Sequence, residues 1–406
     1  MSRSSMSGRG AAPVLLGFFI MGMVDVVGIA TNYARIDFRL RDSVANLLPL
    51  TVFIWFALLS VPTGLLMNRL GRRNTVLIGM GITFIALLIP LLAYRYVVLL
   101  IAFAMIGIGN TLLQVALNPL LSDVTPAARL TSALTLGQLI KAVASFMGPI
   151  VAAWAVGMWG SWKGLLPVFA AVTAVAGGWL GMTAVEGGRG VTGDAGSPSA
   201  TVMDCLRLLK DKKILALFLG VVAIVGLDVG LNTTLPRFLM ERLNLPLAQA
   251  GLGTSLYFIA RTAGSFAGVF LLAKWTSARV FRVSAALAVG ALALLAGQAL
   301  FAGRTVVTAQ TVLTAQAVLW PVLVLIVILG LAVANIFPIL FAAALRRASA
   351  QANEISGLMI MGVSGGAVLM PLMGLIAEYF GQAGALLFLL VTPLYLLGVA
   401  MGSVKL

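Results

Sequence analysis

Four ionisable residues lie near the middle of long apolar runs: Asp25, Lys141, Asp228 and Arg261. A charge at the centre of a bilayer costs at least ~2.5 to 3.5 kcal/mol on insertion scales, so each is a functional candidate. The four charges sum to zero, which predicts pairing. Counted from the middle of their runs, Asp25 and Lys141 differ in depth by about 4.5 Å at ~1.5 Å per residue, a gap that a lysine side chain bridges. A carboxylate beside a cation can exchange a proton as its access to water changes, because the cation favours the charged form and burial opposes it. Asp25 is therefore the candidate proton carrier, with Lys141 either tuning it or forming a permanent structural pair. For Asp228 three roles stand open: a second proton site, an acceptor for a substrate hydroxyl, or the partner of Arg261. Arg261 in turn either binds substrate or holds helices together.

Neutral polar residues accompany these charges. Asn110, Gln114 and Asn118 recur at every fourth position, which places them on one slowly drifting helical face. Amides both donate and accept hydrogen bonds, as a neutral polyol does, and they equally serve to join membrane helices. Gln138 and Asn335 extend this set of uncharged ligands, with Asn32, Asn232 and Tyr257 as further candidates. Pro119 and Pro338 fall inside their runs, where a missing N–H permits bending, and are candidate hinges. Other chemistries are excluded. Histidine is absent and Cys205 is the single cysteine, which removes His-based acid–base catalysis, His or Cys metal cages and an intrachain disulfide. No Gly-x-x-x-x-Gly-Lys-Ser/Thr loop is present for an ATP-driven pump, and no cofactor, metal site or enzyme activity is expected.

The elements that must position these residues are membrane helices. Of the 406 residues 61% are apolar and 10% charged, against roughly 25% charged in a soluble domain. Twelve runs are long enough to span a bilayer as helices: 12–34, 44–68, 74–94, 97–122, 129–155, 162–185, 214–235, 246–272, 280–301, 317–345, 353–377 and 382–403. The fold class is an all-α polytopic membrane protein. A Gly- and Ser-containing, basic stretch at 186–213 divides it into six-helix bundles at 1–185 and 214–406. Seventeen of the 27 Lys and Arg residues fall on the side of both termini and eight on the other, which places the termini and the linker in the cytoplasm. The net charge of +15 then reports topology and attraction to anionic lipid headgroups, with no need for nucleic acid. The first run follows Arg3 and Arg9 but continues past Asp25 without a small-residue cleavage site, so it reads as a retained helix. Trp154, Trp159 and Trp162 read as an interfacial belt.

The two halves share local sequence. Asp25-Val26-Val27-Gly28 with Asn32 matches Asp228-Val229-Gly230 with Asn232, and Asn118-Pro119 matches Phe337-Pro338. Parallel six-helix repeats are the plan of major facilitator transporters, whose substrate sites lie near the midplane. The loop Gly64-Leu65-Leu66-Met67-Asn68-Arg69-Leu70-Gly71-Arg72-Arg73 resembles that superfamily's signature Gly-x-x-x-Asp-Arg-x-Gly-Arg-Arg. Arg69 and Arg72 keep their places, as gating or structural residues. Asn68 stands where an acid is usual, so no salt bridge is expected from that position.

Further stretches resemble the fucose:proton symporter family: Gln114 to Pro119, Gln138, Tyr257 to Gly264, Ile336 to Phe341 and Met370 to Glu378. That resemblance implies a secondary transporter in a bacterial inner membrane, importing a hexose or deoxyhexose by alternating access with protons; a monomer is expected. Two departures matter. Family members carry a glutamate at the position of Gln114 and an acid on helix 1 about one turn beyond Asp25. Gln114 cannot titrate, so proton coupling must be organised differently, and sodium is an alternative ion. Competing readings are an exporter of drugs or metabolites with the same fold and a non-transporting nutrient receptor.

Overall fold

The computed structural model describes residues 10–40, 44, 47–183, 201–243, 247–301 and 312–402. Among them there is no strand, and the long helices number twelve. Helix α1 joins Ala11–Gly22 to Val26–Asp37 through a 3-10 turn at Met23–Asp25. It is followed by α2 (Leu47–Leu70), α3 (Arg72–Leu92), α4 (Tyr96–Val124), α5 (Leu130–Trp159) and α6 (Leu165–Met182). A short linker helix, Val202–Arg207, precedes α7 (Lys212–Leu243), α8 (Leu247–Lys274) and α9 (Ser277–Phe301). Helix α10 comprises Val312–Val333 and Ile336–Arg347. Helix α11 runs from Ala352–Met361 through a turn at Gly362–Ser364 into Gly365–Leu389. That last segment turns sharply at Gly381 (φ 67°, ψ −177°), and the chain beyond it continues into Val391–Met401 as α12.

Ten stretches among the described residues are long and apolar enough to cross a membrane, and α1 opens with the shorter apolar stretch Ala11–Asp25. Backbone groups in hydrocarbon must be satisfied within the segment, and helices do this. Leu58, Ile85, Phe266, Phe270 and Leu294 are exposed, the condition expected of side chains that meet acyl chains rather than water.

The interruptions have local causes. Gly71 takes φ 81°, a conformation that favours glycine, and so joins α2 to α3 in a single residue. Pro338 has no N–H to offer the Ala334 carbonyl, and its ring presses on that group. Helix α10 accordingly stops at Val333 and restarts at Ile336. The α1 break was not anticipated, since the apolar run 12–34 continues through it.

The chain forms two compact units, Met1–Asp211 with Ala344–Met361, and Lys212–Ala343 with Gly362–Leu406. In the first, α1 to α6 gather the end of α10 and the start of α11. In the second, α7 packs on α11 and α12, and α8 on α10. The glycines of α11 serve each unit locally. A Cβ on Gly357 would lie 2.6 Å from the Ser60 carbonyl oxygen of α2, and one on Gly365 would lie 2.6 Å from Val222 of α7. The linker helix is closed by a capping box in which Thr201 and Asp204 exchange side-chain and backbone hydrogen bonds.

Candidate functional site

In the first unit Asp25 closes the 3-10 turn of α1 and is exposed. The Ser145 hydroxyl of α5 donates to Asp25 Oδ2. The carbonyl oxygens of Lys141, at 3.0 Å, and Gly22, at 3.4 Å, are alternative acceptors for the same hydroxyl. Helices α1 and α5 can come this close because Gly22 lacks a side chain. A Cβ there would lie 2.3 Å from the Lys141 carbonyl oxygen and 2.8 Å from Ala144 Cβ. Lys141 is half-buried one turn before Ser145. Ser145 escaped the sequence reading because a serine inside a membrane helix carries no charge to mark it.

On α4, Asn110, Gln114 and Asn118 are all buried. Asn118 Nδ2 donates to the Gln114 carbonyl oxygen at 2.7 Å, a bond within its own helix, and both polar atoms of the Asn110 side chain lack a protein partner. Gln138 is half-buried on α5. The side chains of Asn32 and Asn232 lie outside the described residues. Pro119 sits in an unbroken α4, where it withholds an N–H from the Val115 carbonyl. Ser356 of α11 donates its hydroxyl to that carbonyl. The proline thus provides an acceptor to a neighbouring helix.

In the second unit both oxygens of Asp228 are engaged. Arg261 Nη1 pairs with Oδ2 at 2.7 Å, and the Tyr257 hydroxyl donates to Oδ1 at 2.6 Å. Tyr257 is fully buried. Asp228 is thus paired with Arg261 in this structure. One and two turns further along α8, Gly264 and Gly268 receive Asn335. Its Nδ2 donates to the Gly264 carbonyl oxygen at 2.9 Å, and a Cβ on Gly268 would lie 1.9 Å from Asn335 Oδ1. Asn335 thereby fastens the break in α10, on the N-terminal side of Pro338, to α8.

The loop that joins α2 to α3 builds a polar knot at one end of the first unit. Asn68 Nδ2 donates to Glu354 Oε1, and Asn353 Nδ2 donates to Asn68 Oδ1 at 2.7 Å. Arg72 Nε donates to Asn353 Oδ1 at 2.7 Å, while its Nη1 pairs with Asp123 and reaches the Pro119 carbonyl oxygen at 3.4 Å. Arg72, Asn353 and Glu354 are buried, and Arg69 is exposed. Gly64 is part of the seam, because a Cβ there would lie 2.7 Å from the Asn353 carbonyl oxygen. Asn68, an uncharged amide, acts as a hub for an acid that α11 supplies. Beside the knot Cys205 is buried, and its thiol is pushed up to about 11, first by burial and then by the charges of Glu354 and Asp204.

At the other end of this unit the tryptophans divide. Trp154 and Trp159 are exposed, as a belt requires. Trp162 is buried, stacks on Tyr33 with ring centroids 5.7 Å apart, and donates Nε1 to Asp37 Oδ2 at 3.0 Å. Tyr94 donates to the same oxygen at 2.6 Å, and burial followed by that bond and charge raises its hydroxyl above the ordinary tyrosine range.

Helices of membrane-spanning length with ion pairs and amides inside each unit are the architecture of a multi-pass membrane transporter. The chain belongs to the major facilitator superfamily, whose family model matches residues 14–309. Glucose/galactose transporters of two Brucella abortus strains are 28% identical over 140 residues, a match that spans 34% of this chain and 34% of those relatives. Solved structures extend the likeness to the whole fold. The E. coli fucose:proton symporter FucP aligns with TM-score 0.80 at 14% identity over 97% of this chain and 98% of its own. A bacterial homologue of the iron transporter ferroportin aligns with TM-score 0.73 at 18% identity over 96% and 98% of the two chains. The proton:xylose symporter XylE, bound to 6-bromo-6-deoxy-D-glucose, aligns with TM-score 0.68 at 14% identity over 98% and 95%. The protein is a transporter of this superfamily and not an enzyme.

Proposed function

We propose that this transporter imports a neutral monosaccharide by alternating access and that a proton on Asp25 drives the cycle. The observation that carries the coupling half is the contrast between Asp25 and Asp228, the two acids that lie near the middle of their helices. Asp228 has one oxygen held by Arg261 and the other by Tyr257, whereas Asp25 is exposed at a helix break with a hydroxyl beside it. A group that must meet water on each cycle belongs at the second kind of place. Lys141, on the α5 turn that packs against the break, sets the charge environment of Asp25. The substrate half draws support from the sugar-transporting relative and from the two sugar symporters among the structural neighbours. Gln114 and Gln138 offer amides to sugar hydroxyls from the first unit, and Tyr257 and Asn335 are the candidates in the second. The excess of Lys and Arg on one side supports cytoplasmic termini and residence in a bacterial inner membrane.

The test is reconstitution in liposomes with a panel of labelled hexoses and deoxyhexoses. Wild-type protein should show counterflow of one sugar and accumulate it when the outside is made acid. Asp25→Asn should retain counterflow and lose accumulation. Undiminished accumulation by that variant would remove Asp25 from the mechanism, and absence of counterflow with every sugar would remove the substrate assignment.

A further inference from the structure

A small cavity lies within the first unit, behind the break in α1. Met23, Val24 and Val26 of α1 and Leu87 of α3 give it apolar walls, and Thr83 of α3 and Asn110 of α4 are its polar members. Asn110 is 2% exposed, and neither Oδ1 nor Nδ2 has a protein partner. Leaving a buried amide atom unpaired costs about 1 to 3 kcal/mol. A membrane helix that retained an asparagine here for packing alone would bear that cost twice, with a leucine of similar size available at none. Thr83 commits its proton to the Gly79 carbonyl oxygen at 2.9 Å, so its oxygen still has lone pairs for a donor. The room is at the lower limit for a single water molecule and its lining is mostly apolar, so the two amide atoms and the Thr83 oxygen are the features that would hold a water there, and it is too small for a sugar ring.

We infer that Asn110 and Thr83 form an internal hydration site that holds an ordered water against the α1 break. A water there accepts from Asn110 Nδ2 and donates to Thr83 Oγ1, and with its second proton it reaches Asn110 Oδ1 or the backbone of the turn. The wall residues Met23, Val24 and Val26 flank Asp25 on both sides, so the bound water supports the turn that presents this carboxylate. Asn110 is then a positioning residue for α1 and leaves the sugar-contacting role to Gln114 and Gln138, which rests on the transport reading above.

The site itself can be tested without transport. An experimental structure of the whole protein in nanodiscs, at a resolution where other buried waters are visible, should show density within about 3.2 Å of both Asn110 and Thr83 Oγ1. Asn110→Leu should erase that density while the protein remains monodisperse, and Thr83→Val, a nearly isosteric change, serves the same purpose if the leucine variant does not fold. In the sugar assay either variant should hold KM within about twofold of wild type. A dry cavity in the wild type overturns the inference. So does a bound sugar in hydrogen-bond contact with Asn110, or a KM raised tenfold or more by either variant. A protein that carries no sugar but shows the water keeps this site and loses only the substrate assignment.

Discussion

Asp228 and Arg261 illustrate what a charge inside a membrane helix demands. Each alone would be expensive, and together with Tyr257 they form a satisfied cluster whose ion-pair side chains are 20% and 37% exposed. Removing one partner therefore harms more than removing both. We expect Arg261→Gln and Asp228→Asn each to lower the thermal stability of the purified protein, and the double variant to recover part of the loss. A coupling of about 1 kcal/mol is expected, discounted for the partial exposure of Arg261. Additive losses in this double-mutant cycle would show that the pair contributes no mutual stabilisation. Such residues were legible from sequence because insertion physics singles them out. Glu354, Asn353 and Asp123 were not, since polar residues at the ends of apolar runs read equally well as ordinary topology markers. Nor was Ser145, whose importance comes only from its neighbour across the α1–α5 seam.

At the scale of elements, the junction of α2, α3, α4 and α11 reads as a fastening with one position altered. The loop that usually carries an acid has Asn68, and the carboxylate comes from Glu354 instead. Small residues make the seam possible, with Gly64 and Gly357 admitting backbone where a side chain would collide. Asn68→Asp should place two carboxylates against each other and loosen α11, and Glu354→Gln added to it should restore the fit with the charges exchanged. Cys205 supplies the readout. As the only cysteine, buried and with its thiol pushed up to about 11, it should react with maleimide very slowly at pH 7.5 in the native protein. Labelling should speed up in Asn68→Asp and slow again in the double variant. Equal rates in all three proteins would mean that this knot does not hold α11. The helices themselves were largely legible, because twelve apolar runs of spanning length have few alternatives. Their breaks were harder to read. Pro338 marks one openly, but the turn at Met23–Asp25 lies in a run whose composition does not change.

For the whole molecule, fold and cargo are separate questions, since the same architecture occurs in sugar symporters and in a homologue of an iron transporter. Chemistry inside the units discriminates where shape does not. A divalent transition metal calls for imidazole, thiolate or clustered carboxylate ligands. This chain has no histidine, its single thiol is buried on the inward face of the linker helix, and among the described residues no three acidic or cysteine side chains gather to hold a metal ion. Asp228, one of the two acids near the middle of their helices, is already taken up by an arginine and a tyrosine. Gln114 and Gln138 offer amides, which suit the neutral solute proposed above because they both donate and accept. Liposomes containing the protein should therefore take up a labelled monosaccharide and remain indifferent to ferrous and manganous ions, with the metals neither transported nor competing with the sugar. Saturable uptake of either metal, or its inhibition of sugar entry at micromolar concentration, would place the cargo with the metal-carrying branch of the fold. Asp25 would then have to be reconsidered as a ligand in place of a proton carrier.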